Sequence, residues 1–295
     1  MIKVLLSGGL GNQIFQYAFG KTLAVKNNTS LVLSTSYIES KLPIKKLASQ
    51  MKYELDVFNI NAKIEHNFIK GKIVYPFAKL EHLIKDKFNG NKLNLLQETA
   101  HHFQPELLDY KDNTYVKGNF QSEKYFNSIE EILRKELTFK KALTEKNLDW
   151  KNQIESTNSV SIHIRRGDYI SIQKNQDKFI IQSLDYYKNA ITHIANKVDQ
   201  PTLFIFSDDI AWSKENLKTS FPVHFIDNNN TTETSYIDMQ LMSLCQHNII
   251  CNSTFSWWSA WLNANPGKIV IAPQNWFADK SINSQDLIPF KWIKL

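Results

Sequence analysis

Cysteine is nearly absent from this 295-residue chain: only Cys245 and Cys251 occur, both inside apolar segments. Two such thiols argue against a disulfide framework or a zinc cluster and predict a reducing compartment. Long apolar runs are missing too. No stretch approaches the roughly 18 residues needed to span a bilayer, and the N-terminal MIKVLLSGGLGNQ meets a glycine turn before it reaches the apolar length of a signal peptide. A cytoplasmic protein is expected, with at most peripheral association at the inner face of the membrane. There is no long arginine-rich or lysine-rich run. Lysine plus arginine exceed aspartate plus glutamate by 35 to 29, a net charge of +6, which suits an anionic ligand or a membrane surface and is too mild to imply nucleic acid.

Two familiar phosphate motifs also fail. A dinucleotide fingerprint counted from Gly9 gives Gly11 and then Ile14 where the third glycine should stand. Gly20-Lys21-Thr22 resembles the end of a phosphate-binding loop, but the required earlier glycine position holds Phe15 and the segment reads as helix. Arg166-Gly167-Asp168 is a chance match to an adhesion tripeptide. Asp208-Asp209 has no evident third ligand for a metal, so capping of the following helix is its expected work. Trp257, Trp258 and Trp261 stand at helical spacing and are expected in the core.

What is present is an ordinary globular composition, 42% hydrophobic and 22% charged, long enough for two domains. Ile2–Ser7 reads as a buried strand, Gly8–Gln13 as a turn and Gln13–Val25 as a helix, which opens an α/β unit. A second strand is expected at Leu31–Ser34. From there to Gln153 the pattern weakens: Phe68–Phe88 carries no assignable period, and Thr138–Asn158 reads as a surface helix with a connection between domains. Beyond it the order is regular. Strands are expected at Ser159–Ile164, Thr202–Ser207, Val223–Asp227, Asn248–Cys251 and Lys268–Pro273. Helices are expected at Leu184–Val198, Ile210–Ser220, Glu233–Cys245 and Phe255–Ala264. Such alternation predicts a doubly wound parallel sheet, with ligands beyond the carboxyl ends of its strands.

Those ends carry the polar residues. His163, Arg165, Arg166 and Asp168 follow one strand, Ser207, Asp208 and Asp209 the next, and Asn252, Ser253, Thr254 and Ser256 a later one. Arginine binds phosphate oxygens in pairs, and a Ser/Thr turn entering a helix offers hydroxyls and backbone N–H groups to the same anion. A diphosphate fits both. The plainer reading of the arginines, a surface ion pair with Asp168, accounts for one strand end out of three.

Five blocks, GGLGNQIFQYAFGK at the N-terminus, GNFQSEKYF at Gly118–Phe126, HIRRGDY at His163–Tyr169, FSDD at Phe206–Asp209 and the long Asp238–Asn263 segment, together resemble the bacterial-type α1,2-fucosyltransferases of glycosyltransferase family 11. Asn119 stands where an aromatic is commoner. The resemblance implies a GT-B architecture of two Rossmann-like domains facing across a cleft, residues 1–150 on the acceptor side and 151–295 binding GDP-fucose. It implies an inverting transfer of fucose from GDP-β-L-fucose to the 2-hydroxyl of a galactose in a glycan acceptor, with a surface polysaccharide, an O-antigen repeat unit and a free oligosaccharide all open. GDP-fucose is a substrate; no cofactor and no essential metal are implied. By position Arg165 would grip the diphosphate, His163 and Asp238 would contact guanine, and Ser253, Thr254 and Ser256 would form the phosphate turn. Asn12 would face the donor from the N-terminal domain. Asp168 is the candidate base for the acceptor hydroxyl. An epimerase or reductase would need the missing fingerprint, and a sugar-binding module without chemistry would leave the arginines and the Ser/Thr turn without a purpose.

Overall fold

The computed structural model describes residues 1–39, 52–66, 93–167, 180–229, 231 and 233–295. They divide into two compact units, Met1–Thr138 with Gln285–Leu287, and Phe139–Ser284 with Ile288–Leu295. Phe68–Phe88 lies outside the described residues.

The first unit is built on β1 (Ile2–Leu5), β2 (Leu31–Ser34), β3 (Lys63–Glu65), β4 (Asn94–Gln97) and β5 (Thr114–Lys117). They pair in the order β3-β2-β1-β5-β4, every pair parallel. Helix α1 (Leu10–Lys26) begins three residues earlier than the apolar period predicts and is buried almost all round. Its polar residues are therefore paired: Lys21 Nζ lies 2.6 Å from Glu136 of α2 (Glu130–Glu136), and the Tyr17 hydroxyl donates to the same carboxylate. Gly20 lets α1 close on the sheet, since a Cβ there would come within 2.4 Å of Val4 Cγ2. Thr22 Oγ1 donates to the Ala18 carbonyl within the helix. Gly20-Lys21-Thr22 is thus helix interior, as the failed loop match indicates.

The second unit contains α3 (Lys146–Glu155), β6 (Ser159–Ile164), α4 (Leu184–Ala195), β7 (Thr202–Ser207), α5 (Ile210–Asn216), β8 (Val223–Ile226), α6 (Ser235–Leu244), β9 (His247–Ile249), α7 (Thr254–Leu262), β10 (Val270–Ala272) and β11 (Ile293–Lys294). The sheet order is β11-β10-β9-β6-β7-β8, again parallel throughout. Every residue of β6 and β7 is buried, because both faces of the sheet are covered and a near-continuous apolar run is what such strands need. On one face Val160, Ile162 and Ile164 meet Tyr187, Ile191 and Ile194 of α4. On the other Phe204 and Phe206 meet Leu241 and Met242 of α6 and Ile154 of α3. Helix α3, expected as a surface helix with a connection between domains, lies in the second unit and covers its sheet with Ile154, the one buried residue it has.

Trp257, Trp258 and Trp261 are buried on α7 and pack edge to face, with ring centroids 4.9 and 5.1 Å apart. Both cysteines are free thiols and buried. Among the described residues no helix is long and apolar enough to cross a membrane.

Candidate functional site

Strand register decides what gathers at the carboxyl edge of the second sheet. Ile164 of β6 stands opposite Ser207 of β7, and Ile162 opposite Ile249 of β9. One residue further on, Arg165 meets Asp208, with Nε 3.1 Å from Oδ2. The other Asp208 oxygen accepts the backbone N–H of Arg166 at 2.8 Å. A single carboxylate thus fixes both the first guanidinium and the turn that carries it. The ion-pair partner that the sequence offered, Asp168, lies outside the described residues.

Arg166 leaves the strand on the opposite side, as the alternation of side chains requires. Its guanidinium carbon lies 3.7 Å from the centre of the Trp212 ring on α5, and its Nε is 3.6 Å from Asp209 Oδ2. That separation is an ion pair and not a hydrogen bond, and Nε is sealed from solvent without a hydrogen-bond acceptor. Asp209 caps α5, accepting the Trp212 N–H at 3.1 Å. The acidic pair therefore divides its work: Asp208 holds Arg165, and Asp209 caps α5 beside Arg166. Among the described residues no group of three or more His, Cys, Asp or Glu is placed to hold a metal ion.

His163 is buried two residues before Arg165. Burial, with the Arg165 charge second, pushes its imidazole down to about 3, so it is neutral. Its Nδ1 lies 3.2 Å from Sγ of Cys251, just beyond β9. The chain then turns into α7. Ser253 is the cap, its hydroxyl accepting the Phe255 N–H at 3.3 Å, and the buried Ser256 donates to the Ser253 carbonyl at 3.3 Å. Thr254 is the first residue of the helix. Asn252 braces the turn, donating to the carbonyls of Ile180 and Trp276 at 2.9 and 3.0 Å.

Asp238 lies in the first turn of α6, buried, accepting from Asn229 Nδ2 at 2.8 Å. Burial raises its carboxyl to about 7. Asn229 also donates to Asn147 of α3 at 2.9 Å. Asp238 thus belongs to an amide cluster beyond β8, an outer strand of the sheet, while His163, Arg165 and the Ser253 turn lie at its centre.

Asn12 belongs to the first unit, in the first turn of α1, where its Oδ1 accepts from Gln121 at 2.9 Å. The turn before it needs glycine: Gly8 has φ +74, and a Cβ there would come within 2.4 Å of Asn12 Nδ2. Gln13 and Gln16 hold the surrounding loops, Gln13 through Gly8, Lys52 and Glu54 and Gln16 through Ser7 and Gly118. Much of the polar content of the N-terminal block is therefore scaffold for the turn that presents Asn12.

Sequence reasoning missed Asp208 as the holder of Arg165, Trp212 as the platform for Arg166, and the Cys251–His163 contact. The first was recoverable, because aligning the ends of two parallel strands brings Arg165 opposite Asp208. The others need the helices in place.

The two parallel-sheet units, with the cationic strand end and the hydroxyl-rich helix start on the second, have the fold of GT-B glycosyltransferases. The family model "Glycosyl transferase family 11" matches residues 1–295, and the chain belongs to that family. An α-1,2-colitosyltransferase of Escherichia coli is 35% identical over 98% of this chain and 97% of its own. The E. coli O-antigen biosynthesis glycosyltransferase WbnK is 34% identical over 98% and 99%. Rat galactoside α-(1,2)-fucosyltransferase 2 is 22% identical over 86% of this chain and 65% of its own. The fold is shared with an arginine-to-lysine variant of Arabidopsis thaliana FUT1 solved with GDP, at 12% identity and a TM-score of 0.51, covering 98% of this chain and 74% of that one.

Proposed function

We propose that this glycosyltransferase takes L-fucose from GDP-β-L-fucose and joins it, with inversion, to the 2-hydroxyl of a galactose in a glycan of the O-antigen type. The observation that carries the reading is Arg165, held by Asp208 at the carboxyl end of β6, one strand away from the Ser253 turn. The α-1,2 linkage in the names of the colitosyl- and fucosyltransferase relatives supports the position of transfer.

Breaking the bond from sugar to phosphate builds negative charge on the diphosphate and positive charge on the ring. A guanidinium fixed in advance by Asp208 needs no reorganisation when that charge appears, so it lowers the barrier and not only the binding energy. The start of α7 adds backbone N–H groups and the positive end of a helix. In this reading Ser253, Thr254 and Ser256 form the phosphate turn, while His163 and Asp238 contact guanine. Asp168 takes the acceptor proton. No resident metal is invoked, because the acidic pair beside the site is already committed to Arg165 and to the cap of α5.

Donor choice is the test. GDP should stabilise the folded protein by about 2.7 kcal/mol at a hundredfold excess over Kd, and so raise its melting temperature, and UDP should not. Transfer is then compared for GDP-L-fucose and GDP-L-colitose, which lacks the 3-hydroxyl of fucose. Faster transfer of fucose, with linkage analysis giving 2-substituted galactose, is the expected result. A preference for colitose would move the chain to the other donor, and equal stabilisation by UDP would remove the GDP reading altogether. Activity is expected to survive EDTA; loss restored by Mn²⁺ would mean that a metal takes part.

A further inference from the structure

His163 presents an unresolved chemical choice. Its imidazole is neutral and carries one proton between two nitrogens, so its outer edge is either a donor or an acceptor. Among the described residues the charge that acts on it appreciably is that of Arg165, and the aromatic neighbour Phe255, 5.8 Å away between ring centres, contributes no proton. The decision therefore falls to what Nδ1 meets, which is Sγ of Cys251 at 3.2 Å in a buried position.

The thiol is protonated, its pKa pushed up to about 12 by burial. Two arrangements satisfy the contact. In one the thiol donates to the Nδ1 lone pair. In the other Nδ1–H points at sulfur and the thiol turns to Ser256 Oγ, 3.8 Å away. The S–H group is a weak donor and sulfur a weak acceptor, but the imidazole lone pair is a good acceptor, so the first arrangement has one weak partner where the second relies on sulfur to accept Nδ1–H and on a long S–H···O contact to Ser256.

The geometry points to Cys251 as the positioning residue that fixes His163 as its Nε2–H tautomer, so that His163 is a hydrogen-bond donor to the base of the nucleotide. The second clause rests on the GDP reading of the site. Guanine shows an acceptor, O6, where adenine shows an amino donor. A donor locked at His163, together with a carboxylate at Asp238 for the N–H edge, therefore selects guanine over adenine by pairing with one and leaving buried groups unmatched against the other.

The tautomer is read directly from the ¹⁵N shifts of the histidine rings in the full-length protein, with the His163 signals assigned by their loss in His163→Gln. Wild type should show a protonated-type shift at Nε2 and an unprotonated-type shift at Nδ1. Cys251→Ser keeps a donor and should keep that pattern, whereas Cys251→Ala should give a mixture of tautomers. By calorimetry Cys251→Ala should lose roughly tenfold in affinity for GDP, with a smaller preference for GDP over ADP, and Cys251→Ser should restore both. A proton on Nδ1 in wild type, or an unchanged tautomer in a folded Cys251→Ala, overturns the assignment. If wild type shows no GDP affinity, the GDP reading falls by itself and the spectrum still decides the tautomer.

Discussion

At the scale of single residues the two adjacent arginines separate cleanly. Arg165→Lys keeps the charge and loses the planar fork, so kcat/KM should fall about 100-fold or more with little change in melting temperature. Arg166→Lys loses the stack on Trp212 instead, and should cost stability before it costs rate. Steady-state kinetics beside thermal melts distinguish the pair; a folded Arg165→Lys enzyme of near wild-type kcat/KM would refute the role of this residue. Asp238 gives a pH signature. Its folded-state value of about 7 lies above its ordinary 3.8, so between these the folded protein keeps a proton that the unfolded chain has lost. Stability therefore falls as pH rises from about 4 to about 7. Asp238→Asn should melt higher than wild type at pH 8 and nearly with it at pH 4. GDP affinity should move the other way, strengthening as the carboxylate ionises to receive the guanine N–H groups, and Asp238→Asn should flatten that profile. A wild-type affinity without pH dependence across this window would remove Asp238 from the nucleotide site.

At the scale of elements, legibility follows burial. Leu31–Ser34, Ser159–Ile164 and Thr202–Ser207 were readable to the residue because they are covered on both faces and buried throughout. Lys63–Glu65 and Asn94–Gln97 are outer strands of the first sheet with one buried residue between them, Leu96, so no period survives in their sequence. Thr114–Lys117 is interior, but four residues that mix Thr, Tyr, Val and Lys show neither alternation nor an apolar run. The same contrast holds at the site. Residue types announced the three polar strand ends, while the Cys251–His163 contact depends on strand β9 lying beside β6, which sequence separation conceals. Helix α1 supplies the prediction at this scale. Gly20→Ala would drive a methyl group into Val4, and should destabilise by about 1–3 kcal/mol because helix and strand are both buried and have nowhere to move. Chemical denaturation measures it, and a variant as stable as wild type would show that the helix shifts freely on its sheet.

At the scale of the whole molecule, two parallel sheets organise the described residues, and the last stretch of the chain ties their sequences together. Gln285–Leu287 belongs to the first unit, where Asp286 accepts the Phe103 N–H at 3.0 Å and pairs with Lys124 at 2.5 Å. Ile293–Lys294 then lies beside β10 in the second unit. A three-residue excursion has no period and no composition of its own, so nothing in the local sequence marks it. Asp286→Ala should lower the stability of the first unit by about 1–2 kcal/mol by stranding the Phe103 N–H, which hydrogen exchange at that amide would report; unchanged protection would mean that the backbone finds another acceptor. The excursion also sets a rule for recombining this protein with its relatives. A graft with one junction after Thr138 brings the second parent's residues 285–287 against the first parent's Phe103 and Lys124, so a well-matched hybrid needs two more junctions, and the natural unit of exchange is a discontinuous piece of chain.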